Sequence, residues 1–455
     1  MKSVFGKFLE VDLTDGSFQD YQIPEDWYHL HLGGRGLAVR ILAEEMTGDE
    51  DPMSPQNLLI FSTGPLQGTG LGGAGRHCVA ALSPKTGAVS DSYAGGFFGH
   101  ELGKSGYDGI IFRGQSSSPV YLSIENGVPK LHDAGFLWGK TTYQTEDILR
   151  EEHENVRVSS IGPGGENLVS YSCVINDKGR AAGRPGFGAL MGLKKLKAVA
   201  VSGDQEKPLD DPEKFAELKK EVMDQMTDEG SMEFGEHGTT NSVLSLSEMG
   251  ILPTKNFQKG EFEGAKQITG ERMTEEILTG RDTCTGCPIR CKRVVETEFE
   301  GEAVEGPGPE YETLASFGSL CENDNLDAIA LANQKCNEYS LDTISMGVTI
   351  AYLMEAAERG KLSGDLDKFS DLNWGDASSL VKIIDAVAYR EGVGDEIAKG
   401  VDYLEEKLET DFAQQLKGQE IPMHEPRGKK GLGISYDTSP RGATHLEGMH
   451  DIKYE

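Results

Sequence analysis

The chain has 455 residues, more than one hydrophobic core usually serves, so we expect two or three domains. Its formal net charge is -31 and it has no long Lys/Arg-rich run, which argues against a nucleic-acid partner. No stretch approaches the length of a membrane span, and the first residues begin a strand pattern rather than a signal peptide. An odd number of cysteines, seven, fits a reducing compartment, so we expect a cytoplasmic protein.

The first two hundred residues read as β structure. Residues 8–13 alternate apolar and polar side chains, Asp15-Gly16 supplies a turn, and residues 17–23 return as a partner strand. The apolar run at 58–61 predicts a strand buried on both faces. Residues 197–201 close this β-rich region.

Glycine-rich loops interrupt these strands, and three of them contain Arg35, Arg76 or Arg184. Such loops expose backbone N–H groups, and together with arginine they suit a phosphate or another anionic group. A single glycine loop is more often a plain turn, so it is their number in one region that favours ligand binding. None has the strand–GxGxxG–helix form with a trailing acid, which argues against a nicotinamide site. The loops are Gly33–Gly36, Gly72–His77, Ser90–Gly99, Gly162–Gly165 and Arg180–Gly188.

The rest of the chain reads as mainly helical. Asp-Pro at 211–212 predicts a helix start, with a capping acid before a proline in the first turn. Residues 229–242 are polar and contain glycine, which favours a loop. Two further helix patterns cover about 323–338 and 343–359, and Asp342 is placed to cap the second of them.

The strongest single motif is Cys284-x2-Cys287-x3-Cys291. Thiolates this close converge on a metal centre more readily than they form several unstrained disulfides. The run favours a [4Fe–4S] cluster, which normally takes four thiolates, over zinc, which would also need a fourth ligand. The other four cysteines are widely scattered, so three unrelated thiols are a poor explanation of the triplet. The spacing of the three cysteines is the reverse of the C-x3-C-x2-C pattern of radical enzymes, so we do not assign the chain to that class.

Two further places contain residues that could move protons. Glu310 and Glu312 flank Tyr311 shortly after the cysteines, and near a redox centre such groups donate, accept or orient protons. A surface turn is the simpler interpretation of this glycine- and proline-rich segment. A lone histidine is usually structural. His445, however, lies in a loop that contains glycine and basic residues, as ligand-binding loops do.

Taken together, these motifs resemble those of the tungsten-containing aldehyde:ferredoxin oxidoreductases, from about residue 4 to the end of the chain. The fold that this resemblance implies is α+β. A β-rich pterin-binding base (1–208) would precede a mainly helical domain with the cluster cysteines (209–417) and the start of a third, truncated helical domain (418–455). The matching pieces are GGAGR (72–76), SDSYAGGFFG (90–99), RAAGRPGFGALMG (180–192), CTGCPIRC (284–291), GPEYET (308–313), LDTISMG (341–347) and PRG…ATHL (426–446).

The resemblance also implies cofactors: tungsten (or molybdenum) held by two pterins, a [4Fe–4S] cluster, and a magnesium ion bridging the pterin phosphates. Arg76 matches an arginine between cluster and pterin, and the backbones of Tyr93 and Ala182 match the magnesium positions, the first of which is usually asparagine. Asn337 to Asp342 matches a D-x-x-G-L-D pterin pattern, from which Asn337 and Ser340 depart. The implied cofactor-binding set is Arg76, Tyr93, Gly95, Gly96, Arg180, Ala182, Gly183, Arg184, Asn337, Leu341 and Asp342.

By the same resemblance, Glu312 and His445 correspond to an acid/base pair beside the tungsten, with Tyr311 nearby. Cys284, Cys287 and Cys291 would bind the cluster. The fourth cluster cysteine and the second pterin pattern lie, in the family, beyond residue 455, so we expect the sequence to be a fragment.

The implied activity is oxidation of an aldehyde to a carboxylic acid, with electrons passing through the cluster to a ferredoxin; we also expect a homodimer. A local basic patch of Arg290, Lys292 and Arg293 is the predicted ferredoxin contact. Two alternatives stay open: low-potential reduction of an aromatic acyl-thioester on the same scaffold, and a non-catalytic iron–sulfur subunit. Glu312 and His445 argue against the second alternative, because a scaffold needs neither.

Overall fold

The structure is a computed structural model that describes residues 2–448. Its first twelve strands form two six-stranded sheets. The first sheet contains β1 (Lys7–Asp12), β2 (Ser17–Gln22), β3 (Leu59–Ser62), β4 (His77–Leu82), β5 (Val89–Ala94) and β6 (Gly109–Arg113). The second contains β7 (Val120–Glu125), β8 (Val128–Asp133), β9 (Arg157–Ser160), β10 (Val174–Asn176), β11 (Arg180–Ala182) and β12 (Leu196–Ser202).

The two sheets have the same topology. The strand order is β2-β1-β6-β3-β4-β5 in the first sheet and β8-β7-β12-β9-β10-β11 in the second. Each contains one parallel pair, β1 with β6 and β7 with β12, and its other pairs are antiparallel. The edge strands β5 and β11 therefore occupy equivalent places, and they lie next to each other.

Six helices accompany these strands, and those after β5 and β11 occupy equivalent places in the two units. Short helices after β5 and β11 enter the core between the sheets, whereas longer ones cover the outer faces. They are α1 (Glu25–His31), α2 (Arg35–Glu45), α3 (Phe98–Leu102), α4 (Thr142–Glu152), α5 (Pro163–Glu166) and α6 (Phe187–Leu193).

Strands covered on both faces are apolar along their central positions. In β6, Ile110 and Phe112 face the core between the sheets, while Ile111 packs under α1 and α2 on the outer face. β3 follows the same rule, with Leu59 and Phe61 inside and Ile60 outside. This confirms the buried strand that the run at 58–61 predicts.

The second half packs around α13, which is buried along almost its whole length. Its strands form a three-stranded sheet and a two-stranded hairpin: β13 (Leu278–Asp282), β14 (Lys292–Phe299), β15 (Glu302–Pro307), β16 (Gln415–Leu416) and β17 (Gln419–Glu420). Its helices are α7 (Pro212–Met226), α8 (Glu229–His237), α9 (Val243–Glu248), α10 (Gly270–Glu276), α11 (Tyr311–Phe317), α12 (Leu326–Tyr339), α13 (Thr343–Glu358), α14 (Ala377–Tyr389), α15 (Gly394–Ile397), α16 (Val401–Lys407) and α17 (Lys430–Thr438). Short 3-10 turns lie at Gly238–Ser242, Ala265–Gln267, Ser319–Cys321 and Gly364–Phe369.

The α+β class is confirmed, as are the first hairpin and the two predicted caps. Asp211 accepts a hydrogen bond from the Lys214 N–H, and Asp342 accepts one from the Ser345 N–H. The loop predicted at 229–242 is wrong, because most of it is α8 and a 3-10 turn. The sheet β13–β15 was not predicted, and the boundaries at 208 and 417 stay predictions. No helix within residues 2–448 is long and apolar enough to cross a bilayer.

Asp108 fastens the start of the chain to the base. Its carboxylate accepts hydrogen bonds from the N–H groups of Phe5 and Gly6, both at 2.9 Å, and from the Tyr28 hydroxyl at 2.6 Å. It also pairs with Lys207, at 3.0 Å, and both side chains are almost completely buried. The carboxylate thus joins β6, α1 and the segment after β12.

We expect Asp108→Ala to lower the free energy of unfolding by about 3–5 kcal/mol, because it leaves the Lys207 ammonium buried without its counter-charge. Denaturant unfolding followed by circular dichroism measures this. Asp210→Ala is the control, since it breaks an ion pair with Lys2 whose partners are both exposed, and it should cause no measurable change. Equal losses in the two variants would contradict the argument.

Candidate active site

The loop between β13 and β14 holds the three cysteines against the first sheet. The Cys284 Sγ accepts a hydrogen bond from the Gly96 N–H at 3.2 Å, and the Thr285 N–H donates to the Gly96 carbonyl at 3.2 Å. A Cβ on Gly95 would lie 3.0 Å from that Sγ, so a larger residue would push the cysteine away. Gly95 and Gly96, both predicted from the sequence, therefore support the cysteine loop itself.

Arg180 ties the second sheet to the same loop. Its Nη2 donates to the Thr283 carbonyl at 3.0 Å and lies 3.3 Å from an Asp282 carboxylate oxygen. Because Arg180 is in β11, both edge strands of the base contribute to the seat of the cysteines. The predicted residue Arg180 thus lies beside the predicted cluster ligands.

The three cysteines are free and partly buried. Burial raises the pKa of Cys291, and the charges of Glu310 and Cys284 raise it further. A bound cationic centre would reverse this shift, because metals take the thiolate and stabilise it. Within residues 2–448, no three His, Cys, Asp or Glu side chains are gathered to hold a single metal ion.

The two predicted magnesium positions lie at the seam of the sheets. Tyr93 is near the end of β5 and Ala182 ends β11, on the neighbouring edge strands. The phenol oxygen of Tyr93 accepts a hydrogen bond from the Arg35 N–H at 3.1 Å, so its side chain already has a partner. A magnesium contact through the backbone of these residues stays a prediction.

Arg76 is exposed beside the cysteine loop. Its neighbour Gly75 approaches so closely that a Cβ there would lie 3.3 Å from the Cβ of Cys284. Among the residues that the structure describes, the Arg76 guanidinium has no hydrogen-bond or ion-pair partner. It is therefore available to an anionic cofactor, which fits the role that the resemblance gives it.

Arg184, in contrast, is neutralised by the protein. Its Nε is 3.3 Å from an Asp342 oxygen, and its Nη2 donates to the Glu420 carbonyl at 2.5 Å. Lys85 joins the network at 3.0 Å from the Glu420 carboxylate. Burial works against ionisation of Glu420, but Lys85 and Arg184 outweigh it and lower its pKa. Gly183 lies next to this network, where a Cβ would be 3.5 Å from Asp342.

The segment 337–342 fastens the helices to the second sheet. Asn337 and Leu341 are both buried. Ser340, where the family pattern has glycine, adopts a left-handed φ of 59°. Its Oγ accepts a hydrogen bond from the Gly162 N–H at 2.9 Å, a contact that glycine could not make. Pterin binding by Asn337, Leu341 and Asp342 stays a prediction.

Glu312 lies in the first turn of α11, opposite two imidazoles. Its Oε1 is 3.0 Å from Nε2 of His424 and 3.8 Å from Nδ1 of His445. Its Oε2 accepts a hydrogen bond from the Met423 N–H at 2.9 Å. The structure thus brings together Glu312 and His445, which are far apart in sequence, and adds His424 to them.

Tyr311 positions the histidine rather than facing the carboxylate. Its hydroxyl donates to the Met423 carbonyl at 2.5 Å, and its ring stacks on His424 with the centroids 5.2 Å apart. Burial raises the pKa of Tyr311 well above its usual value, so the phenol stays protonated. Glu310 turns the other way, toward Lys292 at 3.3 Å. Of the two carboxylates that flank the tyrosine, only Glu312 belongs to this site.

The protonation states follow from these contacts. Burial works against the ionisation of Glu312, but His445, His424 and the Met423 N–H outweigh it and lower its pKa to about 2. Burial lowers the pKa of His445 to about 4, although Glu312 opposes this shift. At neutral pH the site therefore holds a carboxylate beside an uncharged His445 imidazole. A proton shared by the pair would rest on His445, the more basic partner.

The sequence analysis missed His424, which the structure places in the candidate site beside Glu312. Lys429, itself buried, places its Nζ 2.8 Å from Nδ1 of His424. Because an ammonium group only donates, Nδ1 is the acceptor and the imidazole proton is on Nε2, facing Glu312. A signal existed, since His424 stands two residues before the PRG motif at 426–428.

The predicted basic patch of Arg290, Lys292 and Arg293 is wrong for two of its members. Arg290 is exposed, but Lys292 is 5% and Arg293 2% exposed. The reason is that the chain enters the interior as β14 begins, directly after Cys291. Neither residue can contact a docked protein.

Comparison with known proteins identifies the family to which the sequence is similar. Residues 8–203 match the family described as "Aldehyde ferredoxin oxidoreductase, N-terminal domain", and residues 215–455 match "Aldehyde ferredoxin oxidoreductase, domains 2 & 3". The chain is 39% identical over 449 residues to the tungsten-containing aldehyde ferredoxin oxidoreductase of Thermococcus kodakarensis, covering 97% of this chain and 74% of that protein. It is 38% identical to the Pyrococcus furiosus protein of the same name, with the same coverage.

A solved structure is also similar. It is the active site complex BamBC of benzoyl coenzyme A reductase in complex with 1,5-dienoyl-CoA. The TM-score is 0.80 at 30% sequence identity, and the match covers 93% of this chain and 66% of that one.

The pKa of His445 predicts how stability depends on pH. An imidazole in the unfolded chain titrates near 6.5, whereas burial lowers the folded value to about 4, so the folded state resists protonation. Stability should therefore fall as the pH is lowered from about 6.5 to 4. The lowered pKa of Glu312 also stabilises the folded state. This stabilisation is lost only as the pH falls from about 4.3 toward 2, which is mostly below the pH range in which His445 acts.

Thermal unfolding between about pH 7 and pH 4.5 measures this effect. His445→Gln should make the fall in melting temperature shallower without abolishing it, because glutamine takes up no proton whereas His77, whose pKa burial lowers to about 3, still does. His29→Gln, which changes an exposed histidine, should leave the fall unchanged. Parallel curves for the parent and His445→Gln would refute the assignment.

Proposed function

The chain belongs to the aldehyde ferredoxin oxidoreductase family, and on this basis we propose that it oxidises an aldehyde to a carboxylic acid at a tungsten bis-pterin centre. The observation that carries the proposal is the partly buried group of Glu312, His424 and His445. The same structure contains a cysteine loop that packs closely against two glycines. A non-catalytic iron–sulfur subunit would have no use for this group.

The residues present fit the cofactors. Cys284, Cys287 and Cys291 would hold the cluster, and the unpaired guanidinium of Arg76 beside them suits an anionic pterin. When bound, the tungsten–pterin group and the cluster would supply the redox chemistry, with electrons passing on to a ferredoxin. Tyr93 and Ala182, on the adjoining edge strands, would hold the magnesium ion.

The chain's own residues handle the protons. Oxidation of an aldehyde to an acid consumes water and releases protons together with the electrons. The uncharged His445 imidazole accepts a proton, and the Glu312 carboxylate stabilises the imidazolium that forms. His424 donates to Glu312 and is held in that tautomer by Lys429. The His445 side chain is 21% exposed, which gives the proton a route to solvent.

A second candidate is the low-potential reduction of an aromatic acyl-thioester. The observation that favours it is the similarity to the BamBC complex, whose printed description includes 1,5-dienoyl-CoA. An assay with simple aldehydes and a viologen dye separates the two functions. An aldehyde oxidoreductase passes electrons from the aldehyde to the dye, whereas an acyl-thioester reductase does not. We favour the aldehyde, since the archaeal aldehyde oxidoreductases are more similar in sequence.

The metal content of the protein, produced in its native host, tests the cofactor assignment. We expect tungsten and about four irons per chain, and we expect Cys287→Ser to lose iron because a hydroxyl is a poor cluster ligand. Cys321→Ala is the control, since that thiol is buried in the helical core away from the loop. Iron without tungsten would leave the non-catalytic subunit, and zinc in place of iron would refute the cluster.

Activity with simple aldehydes and a viologen dye tests the proton-handling residues. Glu312→Gln and His445→Gln should each lower kcat/KM by about 10²–10⁴-fold, the usual contribution of acid–base catalysis. The double variant should be little worse than either single one, because the residues act as a unit. Glu305→Gln, an exposed carboxylate on β15, should retain full activity. Additive losses, or an active Glu312→Gln variant with normal tungsten, would contradict the proposed roles.

A further inference from the structure

Arg293 is a buried cation that makes no ion pair or hydrogen bond with the residues that the structure describes. Arg293 is 2% exposed, and its Nε, Nη1 and Nη2 atoms are buried without a hydrogen-bond partner in the described part of the chain. A buried guanidinium that nothing neutralises is costly, so native proteins rarely retain one without an anionic partner.

The neighbouring cations, in contrast, all have partners. Lys292 pairs with Glu310 at 3.3 Å, and Arg180 pairs with Asp282 at 3.3 Å. Arg281, opposite Arg293 in the β13–β14 register, donates to a carbonyl at 2.9 Å. Glu310 and Asp282 thus make their ion pairs with other cations, and no carboxylate among the described residues forms an ion pair with Arg293.

The fold makes room for this guanidinium specifically. Gly238 adopts a φ of 62°, and a Cβ there would lie 2.3 Å from Nη1 of Arg293. Any other residue at 238 would displace the charge. Glycine at this left-handed position therefore leaves open the space that the guanidinium occupies.

The position of Arg293 in the chain indicates which group its positive charge acts on. Arg293 follows the proposed cluster ligand Cys291 by two residues, and it is buried directly after the cysteine loop ends. A cluster with thiolate ligands has a net negative charge that increases on reduction, and nearby positive charge favours the reduced form.

We propose that Arg293 is the buried counter-charge of the iron–sulfur cluster and raises its reduction potential. It is a positioning and tuning residue rather than a catalytic one, and the inference rests on the proposed function, since it requires the cluster to be present. Burial makes the charge effective, because the surrounding medium screens it far less than water would.

Redox titration of the holoenzyme, followed by electron paramagnetic resonance, tests this. Arg293→Met should lower the cluster midpoint potential, changing the equilibrium constant for reduction at least tenfold, or about 59 mV for a one-electron couple. Arg293→Lys keeps the charge and should stay near the parent value. Arg290→Gln, which removes an exposed charge directly beside Cys291, should shift the potential much less because solvent screens it.

The outcomes separate this inference from the proposed function. A parent enzyme without a cluster would overturn both. A normal cluster whose potential does not move in Arg293→Met, or moves as far in Arg293→Lys, would overturn the counter-charge alone. If Arg293→Met does not fold, a crystal structure of the parent holoenzyme decides: the guanidinium facing the cluster sulfurs supports the inference, and the guanidinium facing a pterin phosphate or another group refutes it.

Discussion

The candidate site depends on the close approach between the cysteine loop and the β-rich base. Cys284 lies so near the backbone at 95–96 that a side chain on Gly95 would meet its sulfur. The approach also lets the Gly96 N–H donate to that sulfur, a contact that stabilises a thiolate and would stabilise a cluster sulfur in the same way. Glycine is needed here because two backbones must approach one another, which is a different requirement from the flexibility of a turn.

The repeated topology of the base explains where the partners of this loop come from. The two sheets have the same strand order, so the edge strands β5 and β11 are equivalent and adjacent. Gly96 follows one of them and Arg180 begins the other, and both bind the cysteine loop. Because two units of the same topology meet at their edge strands, the seam between them has two similar positions. Such a seam is suited to a pair of similar ligands.

Local signals in the sequence predicted much of the fold. Caps such as Asp211 and Asp342 act within three residues, and a strand buried on both faces is apolar throughout, as at 58–61. The prediction at 229–242 failed because glycine was taken as a sign of a loop. Gly235 lies inside α8, where a Cβ would be 2.3 Å from the Ile289 carbonyl, so it serves helix-to-loop packing.

The site itself was only partly predictable, for a related reason. Glu312 and His445 were found through motifs, but His424 acts only because the fold brings the segment around Met423 to Glu312 across more than a hundred residues. Lys292 and Arg293 were expected at the surface because they are charged. Their burial depends on the course of β14, which no local pattern indicated, and a three-stranded sheet that contains buried cations lacks the usual alternation.

The placement of charge around the cysteines gives these buried cations a physical meaning. The chain is strongly acidic overall, yet Arg76, Arg180, Lys292 and Arg293 gather near the cysteine loop. An exposed charge such as that of Arg290 is screened by water and salt, and it acts mainly on approaching partners. A charge inside the protein acts on its immediate neighbours through a medium of lower permittivity. The strand that follows Cys291 therefore directs its positive charge inward, beside the candidate cluster ligands, and contributes little to the attraction of an external partner.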